Sequence, residues 1–336
     1  MGQENIRIVL DVMGGDNAPS CNLEGAAKAL KEKEGFSLIL AGDETAIKEG
    51  IDKYDLPKDR VEVLPTTEII EMAEPPVMAI RKKKDSSIVK GMEMVKKGEA
   101  EAFVSAGSTG AVLIGGQTIV GRLKGIRRPP LCPLIPTEKG TACLADCGAN
   151  VDARPEMLVQ FAQMGSIYLE NMIGIKNPRV GILNVGAEEE KGNALVKETF
   201  PMLKECKTIN FIGSVEARDV PAGYADVIVA DAFSGNILLK TYEGTAKSLM
   251  KIIKGVMMSS TKTKIGALMI KKELKETLKI FDVSAHGGAP LLGLNGLVVK
   301  SHGSSDADEI ANSILEAQLF YEKDINGQIK KALELD

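Results

Sequence analysis

The sequence contains no run of about 20 apolar residues, the length that a membrane-spanning helix requires. Its first residues include Glu4, Arg7 and Asp11, so they lack the apolar core of a secretory signal. The formal net charge is -4, which argues against nucleic-acid binding by the whole molecule. We therefore expect a cytoplasmic protein without a nucleic-acid partner.

Histidine and cysteine are also scarce. The histidines are His286 and His302, and the five cysteines include one C-x-x-x-C pair, Cys143 and Cys147, with no second pair to complete a zinc site. An odd number of cysteines in a chain of 336 residues does not fit a disulfide framework. We expect buried, reduced thiols, no metal and no cofactor.

Three common chemical motifs are missing. The chain has no Walker A phosphate loop, no G-x-G-x-x-G of dinucleotide-binding folds and no G-x-S-x-G nucleophile elbow. No internal repeat or low-complexity linker divides it. The composition, 44% hydrophobic and 26% charged, is that of an ordinary globular protein, and we treat residues 1–336 as a single α/β catalytic domain.

Strand-like and helix-like segments alternate along the chain. This alternation is typical of an α/β fold with a mostly parallel sheet sandwiched by helices. The nine predicted strands are Arg7–Met13, Ser37–Ala41, Val61–Pro65, Ala102–Ser105, Thr141–Asp146, Arg179–Val185, Ile209–Val215, Asp226–Ala230 and Gly296–Ser301. Between residues 234 and 282 the strand signal disappears, which predicts a protruding helical excursion.

Four turns that follow predicted strands are rich in small polar residues. They are Ser105–Gly110, Asn184–Gly192, Ala232–Asn236 and Ser301–Ser305. Glycine permits close approach to the backbone, while hydroxyls and free N–H groups at helix starts donate hydrogen bonds to anions. Each turn alone fits an ordinary helix cap. Because parallel strands share one carboxyl edge, the four together predict a phosphate site there.

The first strand ends in L-D-V-M-G-G-D-N-A-P, where Asp11 and Asp16 flank Gly14 and Gly15. A tight turn capped by Asp16 or Asn17 explains these residues without a ligand. The functional alternative is that the two carboxylates orient neighbouring donors around an anion that they do not touch. The sequence leaves both interpretations open.

The run V-L-D-V-M-G-G-D-N-A-P resembles the N-terminal signature of the acyl carrier protein (ACP):phosphate acyltransferases of bacterial phospholipid synthesis, the PlsX family. Further stretches similar to motifs of that family, in the same order, are R-L-K-G-I-R-R-P (Arg122–Pro129), D-C-G-A-N-V-D-A-R-P-E (Asp146–Glu156), N-V-G-A-E-E-E-K-G-N (Asn184–Asn193), N-F-I-G-S-V-E-A-R-D (Asn210–Asp219), G-G-A-P-L-L-G (Gly287–Gly293) and S-H-G-S-S-D (Ser301–Asp306). The resemblance implies a fold like that of phosphotransacetylases and isopropylmalate dehydrogenases, and a homodimer. It also implies synthesis of acyl phosphate from long-chain acyl-ACP and inorganic phosphate, which a downstream membrane acyltransferase could use.

Four positions depart from the family pattern. Ser108 stands where the family usually has Asn, Ala232 where it has Gly, Ser234 where it has Thr, and His286 where it tends to have an aromatic residue. His302, inside the matched S-H-G-S-S, is therefore the better catalytic candidate, with a structural histidine as the alternative. Lys191 is a candidate partner of phosphate or the oxyanion, with a solvated surface lysine as the alternative.

Inorganic phosphate is already an anion at neutral pH, so its attack on a thioester needs no strong base. The enzyme must instead hold phosphate, exclude water and stabilise the tetrahedral oxyanion. We therefore predict direct transfer without an acyl-enzyme. The residues predicted to bind phosphate or substrate are Gly14, Gly15, Asp16, Ser105, Gly107, Ser108, Thr109, Asn184, Ser234, Gly235, Asn236, Gly303, Ser304 and Ser305.

The helical excursion is basic, since residues 251–279 contain eight lysines and two glutamates. A basic amphipathic helix is typical of binding to an anionic membrane surface, and packing in a dimer is the alternative. The predicted membrane contacts are Ile265, Leu268, Met269, Lys271 and Lys272. We therefore expect peripheral membrane association.

Two rival functions share much of this pattern. A phosphotransacetylase-like enzyme that uses acyl-CoA would perform the same chemistry, and preference for acyl-ACP over acyl-CoA would distinguish the two. A non-catalytic lipid- or carrier-binding peripheral protein would explain the basic helix but not the four donor-rich turns.

Overall fold

A computed structural model describes residues 6–278 and 287–334. The strands are β1 Ile6–Asp11, β2 Phe36–Gly42, β3 Val61–Pro65, β4 Ala102–Ser105, β5 Leu134–Thr137, β6 Gly140–Ala145, β7 Arg179–Asn184, β8 Asn210–Glu216, β9 Val227–Val229, β10 Ala289–Leu291 and β11 Leu297–Lys300. The α-helices are α1 Ser20–Glu32, α2 Glu44–Tyr54, α3 Pro76–Lys82, α4 Ser87–Lys97, α5 Thr109–Gly115, α6 Pro155–Tyr168, α7 Ala194–Glu205, α8 Ala232–Met257, α9 Thr261–Met269, α10 Lys271–Leu278, α11 Ala307–Glu322 and α12 Ile325–Ala332.

The described residues fall into two compact units. Unit 1 comprises residues 6–133, 163–177 and 287–334, and unit 2 comprises residues 134–162 and 178–278. Unit 1 holds a six-stranded sheet in the order β10-β11-β4-β1-β2-β3, and unit 2 a five-stranded sheet in the order β5-β6-β9-β7-β8. The predicted α/β class with mostly parallel strands is confirmed. The strands belong, however, to two sheets instead of the one that the sequence analysis assumed.

All nine predicted strands are present, with bounds that shift by three residues or fewer. The sequence analysis missed β5 and β10, which pair antiparallel with β6 and β11 at one edge of each sheet. Each contains a proline, Pro136 or Pro290, within a run of only three or four residues. Proline lacks an N–H and is confined to edge strands, so it hides such strands from pattern reading.

Burial explains why unit 1 forms around β1 and β4. Every residue of β4 is buried, and so are all residues of β1 except Arg7. Such continuous burial is typical of parallel strands that are covered by helices on both faces. Helices α1 and α11 approach closely, because a Cβ on Gly25 would lie 2.7 Å from Ile310. This packing places the starts of both helices beside the ends of β1 and β11.

A buried carboxyl joins three segments of unit 1. Glu316 of α11 is 8% exposed, and its Oε1 accepts a hydrogen bond from the Tyr168 hydroxyl at 2.5 Å. Its Oε2 accepts from the Gly288 N–H at 3.1 Å. Burial raises the pKa of Glu316 to about 8, although both hydrogen bonds favour the charged form.

Replacing Glu316 with glutamine should change how stability depends on pH. The folded protein keeps the Glu316 proton to a higher pH than the unfolded chain, so the free energy of unfolding falls as pH rises from the ordinary pKa of 4.5 to about 8. Glu316→Gln cannot ionise and loses this dependence, while its amide oxygen can still accept from the Gly288 N–H and its NH2 group can donate to the Tyr168 hydroxyl. We expect the free energy of unfolding of the wild type, minus that of the variant, to decrease as pH rises across that range. Urea unfolding at several pH values measures both quantities. Exposed Glu99→Gln is the control, and a difference independent of pH would contradict the expectation.

The described part of the segment 234–282 is helical and consists of most of α8 together with α9 and α10. Asp231 caps α8, and Ser260 and Thr263 form a capping box at the start of α9. Residues 279–282, and also His286, lie outside the described residues. In the described part of the chain, no helix has the length and apolar character needed to cross a bilayer.

Candidate active site

Three loops meet at the carboxyl edge of the unit 1 sheet. They are residues 12–19 after β1, residues 106–108 after β4 and residues 301–306 after β11. Strands β11, β4 and β1 are parallel neighbours, so their carboxyl ends are adjacent. We call these three loops the unit 1 cradle.

Main-chain hydrogen bonds tie the cradle together. The Asp16 N–H donates to the Gly303 carbonyl at 2.7 Å, and the Ser301 N–H donates to the Ser105 carbonyl at 2.9 Å. The Asn17 side-chain amide donates to the Ser305 carbonyl at 3.3 Å. The predicted site residues of these loops are therefore brought together by the structure.

The buried side chain of Asp11 supports the cradle. It is 1% exposed, and its Oδ2 accepts a hydrogen bond from the Ser105 hydroxyl at 2.7 Å. The same hydroxyl accepts from the Gly107 N–H at 2.9 Å. Burial raises the pKa of Asp11, while hydrogen bonds from Ser105, Ser87 and the Met13 N–H and the charge of Lys300 act in the opposite direction. The Ser105 hydroxyl is therefore already hydrogen-bonded to Asp11 and to the loop backbone.

Gly14 and Gly15 allow the first loop to touch the second. A Cβ on Gly14 would lie 2.4 Å from Asp11 Oδ2 and 2.6 Å from the Gly107 nitrogen. Gly15 has a φ of +100° and faces the Gly303 carbonyl, 3.1 Å from where a Cβ would be. Both positions therefore require glycine because of close approach between loops and backbone conformation.

The loop after β11 presents a histidine to solvent. His302 and Ser304 are exposed, whereas Ser305 is buried. His302 Nδ1 lies 2.8 Å from the Ser304 hydroxyl and accepts from the Ser304 N–H at 3.3 Å. An accepting Nδ1 places the proton of the neutral ring on Nε2.

The loop after β4 leads into α5. Ser108 is buried and caps the helix, with its hydroxyl accepting from the Ala111 N–H at 3.5 Å. Thr109 is exposed at the first helical position. The hydroxyl of Ser108 therefore serves a helix cap, which is the ordinary structural explanation for such a turn.

Sequence reasoning missed Lys300, the last residue of β11. Its side chain is buried at 6% exposure, and Nζ donates to the Ala106 carbonyl at 3.4 Å and to the Ser301 carbonyl. It thus links the loops after β4 and β11 and brings a positive charge to the cradle. The available signal was a lysine ending the apolar run L-V-V-K directly before S-H-G-S-S.

Unit 2 carries its own polar loops at the carboxyl edge of its sheet. After β7, the Asn184 amide donates to the Lys191 carbonyl at 3.1 Å and to the Ser214 hydroxyl at 3.0 Å. The Lys191 ammonium is exposed and pairs with Glu188 at 2.7 Å, which raises the pKa of Lys191 and keeps it charged. Asn184 therefore shapes the loop, and Lys191 is an accessible cation.

The start of α8 is held by Asp231, whose carboxylate accepts from the Ser234 N–H and from the Ser234 hydroxyl, both at 2.9 Å. Gly235 packs so closely that a Cβ would lie 1.9 Å from the Asp146 carbonyl oxygen. The Asn236 side-chain amide donates at 2.9 Å to a main-chain carbonyl of the loop that follows β6 and begins at Asp146. The predicted residues of this turn are thus anchored to that loop.

The four polar turns do not share one sheet edge, so that expectation is wrong. Ser105–Gly110 and Ser301–Ser305 belong to unit 1, whereas Asn184–Gly192 and Ala232–Asn236 belong to unit 2. The physical reason is strand pairing: β4 and β11 pair within one sheet, and β7 and β9 pair within the other. Each unit therefore contributes two polar turns.

The cysteines are all free thiols. Cys132, Cys143 and Cys147 are buried, and burial raises the pKa of the Cys147 thiol. A raised pKa keeps the thiol protonated and a poor nucleophile. In residues 6–278 and 287–334, no cluster of three or more His, Cys, Asp or Glu side chains is arranged to hold a metal ion.

Comparison with known proteins identifies a matching family. A family model described as "Fatty acid synthesis protein" matches residues 6–328. A curated phosphate acyltransferase of Clostridium botulinum (strain Alaska E43 / Type E3) is 48% identical over 330 residues, which cover 98% of this chain and 99% of that protein. One from Clostridioides difficile (strain 630) is 50% identical over 331 residues, 97% of each chain.

Solved structures share the fold at low sequence identity. A phosphotransacetylase from Streptococcus pyogenes superimposes with a TM-score of 0.60 at 18% identity, covering 96% of this chain and 95% of that one. The EutD phosphotransacetylase from Staphylococcus aureus gives 0.56 at 19% identity, with 94% and 95% covered. At such identities the likeness establishes the fold alone, and it confirms the predicted resemblance to phosphotransacetylases.

Proposed function

The chain belongs to the fatty acid synthesis protein family and is an acyltransferase enzyme of the phosphate acyltransferase kind; from this premise we propose that it transfers long-chain acyl groups from ACP to inorganic phosphate, for phospholipid synthesis. Family membership makes the non-catalytic alternative wrong. The single observation that carries the proposal is the unit 1 cradle. In it the donor-rich turns after β1, β4 and β11 lie against one another and are joined by main-chain hydrogen bonds.

The cradle supplies what an oxyanion needs. Main-chain N–H groups and the charge of Lys300 lie in or beside its loops, and the Ser304 hydroxyl, which donates to His302 Nδ1, orients that ring. Charge-assisted hydrogen bonds of this type are about twice as strong as neutral ones. Asp11 and Asp16 hold the loops and do not act as ligands, since like charge would repel phosphate.

Catalysis then consists mainly of positioning. An oxygen of bound phosphate forms a bond to the thioester carbonyl carbon, the tetrahedral oxyanion collapses, and the C–S bond breaks to release the ACP thiolate. A thiol pKa near ~8.5 makes that thiolate a good leaving group. We assign His302 to hydrogen bonding with phosphate or the leaving thiolate, and Lys191, an exposed cation of unit 2, stays a candidate for stabilising negative charge.

The acyl donor is assigned to ACP on grounds of charge. ACP is acidic, and unit 1 exposes two basic stretches, Arg81–Lys84 and Arg122–Arg128. Opposite charges steer association and raise its rate at low ionic strength. The phosphotransacetylase-like alternative, with acyl-CoA as donor, remains the second candidate because these solved structures share the fold.

The deciding experiment compares two donors. Purified protein is incubated with phosphate and either palmitoyl-ACP or palmitoyl-CoA, and acyl phosphate is trapped with hydroxylamine. We expect higher kcat/KM with palmitoyl-ACP, and that preference should weaken as salt screens the basic stretches. Equal or better use of palmitoyl-CoA would instead support the CoA-dependent alternative.

We also assign a peripheral membrane contact to the turn between α9 and α10. Leu268 is 73% exposed and Met269 78% exposed, with Ile265 also exposed nearby. Lys271 and Lys272 follow after Ile270 and are exposed. Apolar side chains beside lysines suit the interface of an anionic bilayer, where each lysine adds about 1 kcal/mol.

Replacing Leu268 and Met269 together with glutamate should weaken binding to vesicles of anionic phospholipid at least about tenfold. Two exposed apolar side chains leave the interface and two negative charges arrive, which both oppose binding. Vesicle co-sedimentation measures the effect. Met202→Glu with Tyr224→Glu, two exposed apolar residues elsewhere in unit 2, controls for the same charge change. Unchanged sedimentation of the Leu268 and Met269 variant would remove this contact.

The homodimer remains a proposal that rests on one face of α8. Leu249, Ile252 and Val256 are more than half exposed and recur at helical spacing. An apolar helix face without a partner in the described residues is typical of a subunit interface. Sedimentation equilibrium of the purified protein tests this assignment.

A further inference from the structure

Unit 2 contains a cleft of about 490 Å³ between β7, β9, α7 and α8. Its floor is formed by the buried side chains of Leu158, Ile182, Val196 and Val229. None of these side chains carries a polar atom. The volume lies within the range of small-molecule sites, which is roughly 300–1,000 Å³.

The rim of this cleft is mixed, because the exposed apolar side chains of Val185 and Ile237 line it beside polar ones. Asn184 is the buried last residue of β7, and Asp231 and Ser234 lie just past β9, at the carboxyl edge of the unit 2 sheet. The lining of the cleft is therefore mainly apolar, and its polar groups are bonded within the protein. A ligand that matches it must have a long apolar part.

We infer that this cleft binds the hydrocarbon chain of the fatty acyl substrate. The inference rests on the proposed function, which supplies an acyl group as the ligand. It adds the place of the hydrocarbon chain, which the phosphate-binding loops do not provide. The chemistry of the lining selects the occupant, because apolar walls reject charged groups and favour a hydrocarbon chain.

Chain length should then control binding. Each methylene that enters the apolar floor strengthens binding about fourfold, until the cleft is full. Affinity should therefore rise steeply from short to long chains and then level off. A flat surface without a floor would produce neither the steep rise nor the plateau.

The first test measures binding without catalysis. The chain contains no tryptophan, so Thr241→Trp places a single fluorophore on the exposed rim, on α8. Dibrominated stearate should quench this tryptophan saturably, whereas bromobutyrate should not. Leu249→Trp, also exposed on α8 but outside the lining, is the matched control and should show weak, non-saturating quenching. Equal quenching at both positions, or none at either, would overturn the inference.

The second test narrows the cleft. Leu195→Phe adds bulk to the α7 wall, and Met202→Phe adds it to an exposed position of the same helix. We expect Leu195→Phe to lower kcat/KM for palmitoyl-ACP about tenfold, as if two methylenes were lost, and to leave butyryl-ACP within about twofold. Loss of activity with both donors, accompanied by loss of quenching, would mean misfolding, and Leu238→Phe on the α8 wall then replaces it.

The outcomes separate this inference from the proposed function. Saturable quenching without acyl phosphate from any acyl-ACP would overturn the proposed function and leave the cleft as a fatty-acid site. Normal synthesis of acyl phosphate with no quenching at Thr241→Trp would overturn the cleft assignment alone. Fluorescence that changes with protein dilution but not with brominated acid would mean that a second copy of the chain covers the cleft, which also overturns it.

Discussion

Gly14→Ala is expected to lower kcat/KM for phosphate about 100-fold or more while the protein stays folded. A Cβ at this position would lie 2.4 Å from Asp11 Oδ2 and 2.6 Å from the Gly107 nitrogen, so the first two loops of the cradle must move apart. Displacing a bound reactant by about 1 Å can reduce the rate a hundredfold, because the reaction depends on alignment. Overpacking of this kind costs typically about 1–3 kcal/mol of stability.

Steady-state kinetics with phosphate varied at saturating acyl-ACP measures the effect, and circular dichroism confirms folding. Gly244→Ala is the matched control, because a Cβ at Gly244 of α8 meets no atom within 4 Å. Alanine in a helix interior should be neutral or slightly stabilising there. If Gly14→Ala kept wild-type kinetics, the cradle would not be the phosphate site.

Lys300→Met should raise the KM for phosphate about tenfold or more. The substitution keeps most of the apolar length but removes the buried ammonium that links the Ala106 and Ser301 carbonyls. A hydrogen bond to a charged group contributes about 1.5–3 kcal/mol, which corresponds to a factor of about ten to one hundred in affinity. The free energy of unfolding should fall as well, since two buried carbonyls lose a donor and Asp11 loses a neighbouring positive charge.

The kinetic result separates a phosphate role from a purely structural one. If Lys300 only stabilises the fold, KM for phosphate and KM for acyl-ACP should change together or not at all. If it serves the cradle, KM for phosphate rises while KM for acyl-ACP stays within about twofold. Lys97→Met, an exposed lysine in the last turn of α4, is the control for loss of one positive charge.

The fold was largely accessible from sequence because its signals are local. Buried parallel strands such as β1 and β4 are continuous β-branched or apolar runs, and the helices between them begin with caps such as Asp43, Ser86 and Asn193. Edge strands β5 and β10 escaped because a short run with a proline has no strand signal of its own. They exist because β6 and β11 offer them an unpaired edge.

The candidate site was accessible in its residue types but not in its arrangement. Gly14, Ser105 and Ser304 could be chosen because glycine and hydroxyls after strands favour anion binding. That Ser105 gives its hydroxyl to Asp11 could not be foreseen, since the two residues are 94 positions apart. The link from Lys300 to the Ala106 carbonyl was likewise hidden, since these residues are 194 positions apart.

By itself the sequence determined the α/β class, the positions of the central strands, the polar turns at their ends and, through its motifs, the acyltransferase family. These depend on neighbouring residues along the chain, whose periodicity and capping are set locally. Tertiary structure alone decided that the strands form two sheets, that the polar turns divide between them, and which side chains remain available to a ligand. Those outcomes depend on pairing between distant segments, where each hydrogen bond made within the protein removes a donor from the site.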